Sequence, residues 1–273
     1  MPTAKTADLE LYYETFGSEA DPTLLLVNGL GSQCINFADE WCERFAAHGY
    51  CVVRFDNRDT GLSSKLDGRD YLLWDMALDA VAVLDSVGAD RAHVLGVSMG
   101  GMIVQSLAIV HPKRVRSMTS VMSHTGEAAY GRASPAALAL LNAPPPTSRA
   151  EYIERRVASI AVYGSKPEWV DDVDLRAAAA AAYDRCFCPE GQLRQLHAIQ
   201  QSGDRGDLLP ALRVPTLVMH GSRDTLVDPS GGRRTAELVP GARYVEIEGM
   251  GHDYPRVLWD RWIDEWLALV QES

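Results

Sequence analysis

The segment 93–101 reads HVLGVSMGG: an apolar, β-branched stretch leads into Gly-x-Ser-x-Gly, and a helix-forming stretch follows at once. This pattern is typical of a nucleophile elbow, a sharp strand-to-helix turn that pushes a serine hydroxyl out at the top of a sheet. Ser98 is therefore the candidate nucleophile. A turn this tight leaves no room for a Cβ at Gly96 or Gly100, so larger residues there should disrupt it. Because the five-residue pattern also occurs by chance, its surroundings decide what it means.

Predicted strands and helices alternate on both sides of this segment. The alternation indicates βαβ units, and hence an α/β fold with a mainly parallel sheet flanked by helices on both faces. Several strands are continuous apolar runs, as expected when a sheet is covered on both sides. The predicted strands are 9–16, 23–27, 51–55, 92–97, 115–122, 215–220 and 244–247, and the helices that alternate with them are 37–48, 71–87, 99–110, 229–239 and 255–270.

The alternation stops between residues 124 and 213, a length far greater than an ordinary connection needs. This stretch has no convincing strand, and helices are predicted at 135–141, 149–163, 173–185 and 191–201. We therefore expect one α/β core, residues 1–123 and 214–273, interrupted by a helical cap, residues 124–213. Its position in the chain puts the insertion over the carboxyl ends of the strands, where ligands bind in open α/β sheets, so it is expected to act as a lid. The alternative is a helical decoration that only adds stability.

Composition argues against several classes of function. Twenty-six Lys and Arg against 37 Asp and Glu give a net charge of −11, which is unfavourable for binding nucleic acid. The start of the chain lacks the apolar region of a secretory signal, and no run is long enough to span a bilayer, so we expect a cytoplasmic protein with no membrane association. Five cysteines without a C-x-x-C pair favour reduced thiols, with neither disulfide nor metal.

A serine hydroxyl needs a general base to act as a nucleophile at neutral pH, and seven histidines compete for that role. His252, in the Gly-Met-Gly-His loop after the last predicted strand, is the best candidate because a flexible loop can carry its ring over the sheet. The other six lie in strands, at helix ends or in the insertion, where structural roles are more common: His48, His93, His111, His124, His197 and His220.

A carboxylate must in turn orient the imidazole. Asp224 leaves the sheet at the carboxyl end of the strand that ends near residue 220, which makes it the candidate acid. Asp228 is better explained as the cap of a helix that begins at Pro229, since Asp before a proline in the first turn is a favoured helix start. Asp253 is adjacent to His252 in sequence and cannot easily reach the far nitrogen of its ring.

The reaction also needs hydrogen-bond donors aimed at the oxyanion that develops. One is expected to be the backbone N–H of Met99, directly after the nucleophile and at the positive end of a helix. The other is assigned to Leu30, in the loop after the strand that ends at Val27, where Gly29 and Gly31 allow a close backbone approach. A simple glycine turn is the alternative explanation of that loop.

Together these residues resemble the α/β-hydrolase superfamily, and the match covers almost the whole chain. Within it, the segments 53–63, 78–85 and 90–100 are similar to aclacinomycin methylesterase and the related streptonigrin methylesterase of actinomycetes. Those enzymes hydrolyse methyl esters on polyketide-type or other aromatic natural products and use no cofactor. In one departure, Asn28 stands where many members have His before the glycine, and no stretch of the insertion matches.

The resemblance implies an α/β-hydrolase fold with Ser98, Asp224 and His252 as the catalytic triad and Leu30 and Met99 as the oxyanion hole. We therefore expect a cofactor-independent serine hydrolase that cleaves a carboxylic ester of a small molecule through an acyl-enzyme. Lactone opening, carbon–carbon bond hydrolysis, acyl transfer and perhydrolysis suit the same triad. A non-catalytic small-molecule receptor on this fold is the alternative from a different class.

Overall fold

The computed structural model describes residues 2–271 and contains an eight-stranded sheet. The strand order is β1-β2-β4-β3-β5-β6-β7-β8, with antiparallel pairing of β1 to β2 and of β2 to β4 and parallel pairing from β4 to β8. The mainly parallel α/β class predicted from the sequence is confirmed. The strands are β1 Thr3–Lys5, β2 Glu10–Phe16, β3 Thr23–Val27, β4 Cys51–Phe55, β5 Ala92–Val97, β6 Val115–Val121, β7 Thr216–Gly221 and β8 Arg243–Ile247.

Helices cover both faces of this sheet because successive residues of each central strand point to opposite sides. Leu25 and Val27 of β3 belong to the apolar cluster formed with α2 (Leu73–Ser86) and α3 (Met99–Val110). Leu24 and Leu26 belong to the cluster formed with α1 (Asp39–Ala46) and α9 (Trp259–Gln271). The second cluster is rich in aromatic rings, such as Trp41 against Trp262 at 5.9 Å between ring centroids. The helices of the core are α1 Asp39–Ala46, α2 Leu73–Ser86, α3 Met99–Val110, α8 Ser230–Leu238 and α9 Trp259–Gln271.

Four helices lie between β6 and β7: α4 Pro135–Leu141, α5 Arg149–Tyr163, α6 Asp172–Arg185 and α7 Pro189–Gln201. Side-chain caps start three of them, since Ser134, Ser148 and Asp171 each accept a hydrogen bond from a backbone N–H of the first turn. The group α4–α7 together with its connections is called the cap helices below. None of the helices within residues 2–271 is both long and apolar enough to cross a bilayer.

Some element boundaries differ from those predicted. The short strand β1 was not predicted as an element, because three residues with one buried side chain give no readable alternation. The helix predicted at 37–48 begins only at Asp39, since a short 3₁₀ turn at Cys34–Asn36 precedes it. In the same way the last helix begins at Trp259 rather than residue 255, after a 3₁₀ turn at Arg256–Leu258.

Candidate active site

The turn between β5 and α3 has the predicted elbow geometry. Ser98 has φ 55° and ψ −120°, a conformation that non-glycine residues rarely adopt, and its N–H donates to Val121 O at 2.9 Å. A Cβ added to Gly96 would lie 2.1 Å from Gly100 O, and one added to Gly100 would lie 2.0 Å from Val27 O. Both glycines are therefore required by the close approach of backbone to backbone.

The structure brings Ser98, His252 and Asp224 into one hydrogen-bonded chain. Ser98 Oγ lies 2.9 Å from His252 Nε2, and His252 Nδ1 lies 2.7 Å from Asp224 Oδ2. The three residues follow β5, β8 and β7 respectively, and the carboxyl ends of parallel strands meet at one edge of the sheet. The distances fit an imidazole that donates from Nδ1 to the carboxylate and accepts the serine proton at Nε2.

Asp224 is held as a carboxylate by its surroundings. Its Oδ1 accepts hydrogen bonds from the backbone N–H groups of Leu226 and Val227, both at 2.9 Å. Burial by itself would raise the pKa of Asp224, but His252 and His220 on its other side lower that pKa to about 2. His220, fully buried in β7, places Nε2 3.3 Å from Asp224 Oδ2 and 2.8 Å from Val227 O.

The two segments predicted to supply the amides of the oxyanion hole both approach Ser98. Met99 is the first residue of α3, and a Cβ added to Gly29, next to Leu30, would lie 3.6 Å from Ser98 Oγ. Among residues 2–271, neither the Leu30 nor the Met99 N–H has a hydrogen-bond acceptor. Asn28, the departure from the common pattern, is fully buried and donates to Gln33 O at 3.1 Å, which braces this loop.

The cap helices hold the loop that carries Leu30. Gln195 of α7 is fully buried, accepts from the Gly31 N–H at 2.8 Å and donates to Arg58 O at 2.7 Å. Gln33 donates to Ala182 O at 2.6 Å at the end of α6. The sequence offered no signal for Gln195, because a buried glutamine on an otherwise ordinary amphipathic helix has no distinctive spacing.

The loop that carries His252 is held by the last residue of α5 and by the residues directly after it. The His252 N–H donates to Tyr163 O at 2.7 Å, and the Gly251 N–H donates to Ser165 Oγ at 2.9 Å. The Asp253 carboxylate accepts from the Ser165 N–H at 2.8 Å, so it serves the loop and does not contact the imidazole far nitrogen. A Cβ on Gly251 would lie 2.1 Å from Gly164 C, which explains the glycine before the histidine.

The remaining competitors occupy other positions. Asp228 Oδ1 accepts from the Ser230 N–H at 2.9 Å, but α8 begins at Ser230 with Pro229 in the cap position, one residue later than predicted, so Asp228 precedes the cap. His124 accepts from the Gly126 N–H at 2.9 Å, and burial followed by the charge of Arg205 lowers its pKa to about 4. His93 pairs with Ser117 Oγ at 2.8 Å. Among residues 2–271 no group of three or more His, Cys, Asp or Glu is arranged to hold a metal ion.

A cavity of about 130 Å³ opens between the cap helices and the core. Leu30 and Gly31 line it, as do Leu226, whose N–H donates to Asp224 Oδ1, and Tyr163, whose ring centroid lies 6.0 Å from that of His252. Polar and apolar groups contribute to its wall in similar measure. The apolar side chains include Leu140 of α4, Tyr152 of α5 and Leu193 of α7, and the connections between the helices add Pro145 and Phe187. Two arginines of α5, Arg155 and Arg156, also border it, and no pattern in the sequence singled them out.

Comparisons with known proteins agree with this architecture. A family model described as alpha/beta hydrolase fold matches residues 22–254. The chain is 31% identical to rhodomycin D methylesterase DauP of Streptomyces sp. (strain C5) and 32% identical to rhodomycin D methylesterase DnrP of Streptomyces peucetius, with 93% of each chain covered in both cases. The enol-lactonase from Burkholderia xenovorans LB400 superposes with a TM-score of 0.80 at 22% identity, covering 99% of this chain and 100% of that one.

Proposed function

The chain belongs to the α/β-hydrolase family, and on that basis we propose that it is a serine hydrolase that cleaves a carboxylic ester of a small molecule. The observation that carries the proposal is the chain of contacts from Ser98 Oγ to His252 Nε2 at 2.9 Å and from His252 Nδ1 to Asp224 Oδ2 at 2.7 Å. The relatives named rhodomycin D methylesterase favour a methyl ester on an aromatic or polyketide-type acid.

In the acylation half, Ser98 Oγ forms a bond to the ester carbonyl carbon while His252 Nε2 accepts the hydroxyl proton. The oxyanion that forms accepts hydrogen bonds from the Leu30 and Met99 N–H groups, which have no other acceptor among the described residues. The imidazolium then gives its proton to the leaving alkoxide, the carbon–oxygen bond breaks, and the alcohol departs. Asp224, ionised because its pKa is about 2, stabilises the imidazolium throughout.

In the deacylation half, His252 takes a proton from a water molecule, and the hydroxide oxygen adds to the acyl carbon. Collapse of the second tetrahedral intermediate breaks the bond to Ser98 Oγ, which regains the proton from the imidazolium, and the carboxylic acid leaves. We propose that residues 124–213 act as the cap of this site, with α4, α5 and α7 forming the wall that selects the acyl group.

The test combines kinetics with covalent labelling. Ser98→Ala should lower turnover of an activated short ester by roughly four to six orders of magnitude, as triad removals do. An alkyl phosphonate should label the wild-type protein once, at Ser98, as read by peptide mass spectrometry. Ser106→Ala is the matched control, because Ser106 lies on α3 and donates to Met102 O at 3.0 Å, away from His252. Hydrolysis by Ser98→Ala at the wild-type rate would refute the proposal.

A further inference from the structure

The charge of the cavity wall is opposite to that of the chain. The protein carries a net charge of −11, yet the described residues that border the cavity include Arg155 and Arg156 and no Asp or Glu. An acidic molecule repels anions at long range, so an anion can be held here only by local positive charge. The wall therefore has the electrostatic character of a site that receives a negatively charged group.

The two arginines differ in what they already contact. Arg155 donates to Pro144 O and lies 3.5 Å from Glu151 Oε1, so its guanidinium already has a carbonyl and a carboxylate partner in the protein. Arg156 is half-buried and makes neither a hydrogen bond nor an ion pair with any of residues 2–271. A guanidinium has five N–H donors in a planar fork and loses solvation when half-buried, so an unpartnered one facing a cavity favours a ligand that accepts those donors.

Arg156 is placed in line with the catalytic histidine by α5. Tyr152, Arg156, Ser159 and Tyr163 all border the cavity, at spacings of four, three and four residues that put them on one face of the helix. Tyr163, at the end of this stripe, accepts the His252 N–H at 2.7 Å. At a rise of 1.5 Å per residue, the seven-residue step from Arg156 to Tyr163 covers about 10 Å along the helix axis. An aromatic acyl group can bridge a span of that length.

We propose that Arg156 is a specificity-determining residue that binds a planar oxyanion, a carboxylate, at the end of the acyl group remote from the ester. This inference rests on the proposed ester hydrolysis and names the substrate class for it: half-esters of aromatic dicarboxylic acids. The carboxylate accepts two parallel hydrogen bonds from the guanidinium, which orients the ring along α5 and presents the ester carbonyl to Ser98.

The experiment uses two pairs of esters, and the members of each pair have nearly the same shape but differ in charge. Monomethyl terephthalate carries the distal carboxylate, and its monoamide methyl ester has nearly the same shape without the charge; the naphthalene-2,6-dicarboxylate pair provides a longer spacing. A charge-assisted hydrogen bond corresponds to roughly 10- to 100-fold in an equilibrium or specificity constant. We expect the wild type to prefer the anionic ester by about that factor in kcat/KM in at least one pair.

The ratio of kcat/KM for the anionic ester to kcat/KM for the amide ester measures this preference. Arg156→Met should reduce the ratio to about one by slowing hydrolysis of the anionic ester alone, and Arg156→Lys should restore part of it. The control is Arg176→Met, which removes an exposed cap arginine paired with Glu154 and Asp172, away from the cavity, and should leave the ratio unchanged. The wild-type ratio is itself a test, so the inference stays falsifiable if Arg156→Met does not fold.

Each remaining outcome has one meaning. Equal rates on both members of both pairs, with the amide esters hydrolysed and Ser98 labelled, would overturn the role of Arg156 and leave ester hydrolysis standing. A preference that survives in folded Arg156→Met would likewise overturn the assignment to this residue. Absence of both hydrolysis and Ser98 labelling in the wild type would refute the proposed function, which is a different result.

Discussion

At the scale of single residues, the charge of Asp224 is fixed by its surroundings in the protein. Asp224 is buried, accepts two backbone N–H groups through one oxygen and faces His252 and His220 with the other. Every polar contact around it favours the ionised form, and the local stabilisation outweighs the cost of burial. The carboxylate therefore serves both the orientation of the imidazole and the stability of the loop after β7.

The low pKa of Asp224 predicts a pH dependence of stability. A carboxyl whose pKa is about 2 when folded and 3.8 when unfolded contributes stability that is complete above about pH 4 and is lost as the pH falls through 2. At about 1.4 kcal/mol per pKa unit, the contribution is roughly 2 kcal/mol. Asp224→Asn should therefore lose less unfolding free energy than the wild type between pH 4 and pH 2, as measured by urea unfolding. Parallel pH profiles for the two proteins would contradict the assignment.

The three residues that the structure joins by hydrogen bonds could be singled out from the sequence because each follows a strand at a recognisable signal. Ser98 sits in Gly-x-Ser-x-Gly, and Asp224 and His252 follow the strands β7 and β8 within a few residues. Gln195 and Arg156 were not predictable. Their positions depend on which face of a cap helix turns toward the core, and that is decided by packing between segments more than 100 residues apart.

At the scale of elements, a glycine can be required for either of two reasons: there is no space for a Cβ, or the backbone has a positive φ. Gly96 in the elbow and Gly88 after α2 illustrate one reason each. Gly96 is not among the positive-φ glycines of residues 2–271, so it is required only because an added Cβ would lie 2.1 Å from Gly100 O. Gly88, which follows α2, has φ 70° and no atom within 4 Å of an added Cβ. Gly96 is therefore required because a Cβ has no space there, and Gly88 is favoured because its backbone conformation is left-handed.

Alanine at each position tests this distinction. Gly96→Ala should cost about 3 kcal/mol of unfolding free energy or prevent folding, because overpacking against a fixed backbone cannot relax. Gly88→Ala should cost only about 1 kcal/mol, the penalty of a left-handed conformation at one residue, and should keep full esterase activity. Urea unfolding and an activated ester provide the two measurements. A Gly96→Ala protein as stable and active as Gly88→Ala would show that the elbow can relax.

The strands and long helices were predictable to within a few residues, since their apolar periodicity is set by burial on known faces. The short connecting elements were not. The 3₁₀ turn at Pro167–Trp169 lies between α5 and α6, where Lys166 N–H donates to Gly249 O. A three-residue turn that is in contact with a distant segment leaves no periodicity in the local sequence.

At the scale of the whole molecule, the cap helices are fastened to the core by buried ion pairs. Arg194 of α7 forms a bidentate contact with Asp59, at 2.7 and 2.9 Å, and Arg185 of α6 lies 2.8 Å from Asp56 Oδ2. The side chains of both aspartates are fully buried. Because such a carboxylate loses its partner when the cap separates, opening the cap leaves uncompensated charge in the core.

We therefore expect the cap helices and the sheet to unfold in one transition. Hydrogen exchange followed by mass spectrometry should show peptides of α5–α7 opening with the same free energy as peptides of β5. Arg194→Met should cost roughly 3 kcal/mol because it leaves the Asp59 carboxylate buried without its cation. Arg176→Met, which breaks exposed pairs with Glu154 and Asp172, should cost less than about 1 kcal/mol. Two results together would contradict this expectation: cap peptides that open at a lower free energy than peptides of β5, and equal losses of unfolding free energy in Arg194→Met and Arg176→Met. They would mean that the cap is held mainly by apolar packing and that its buried ion pairs contribute little.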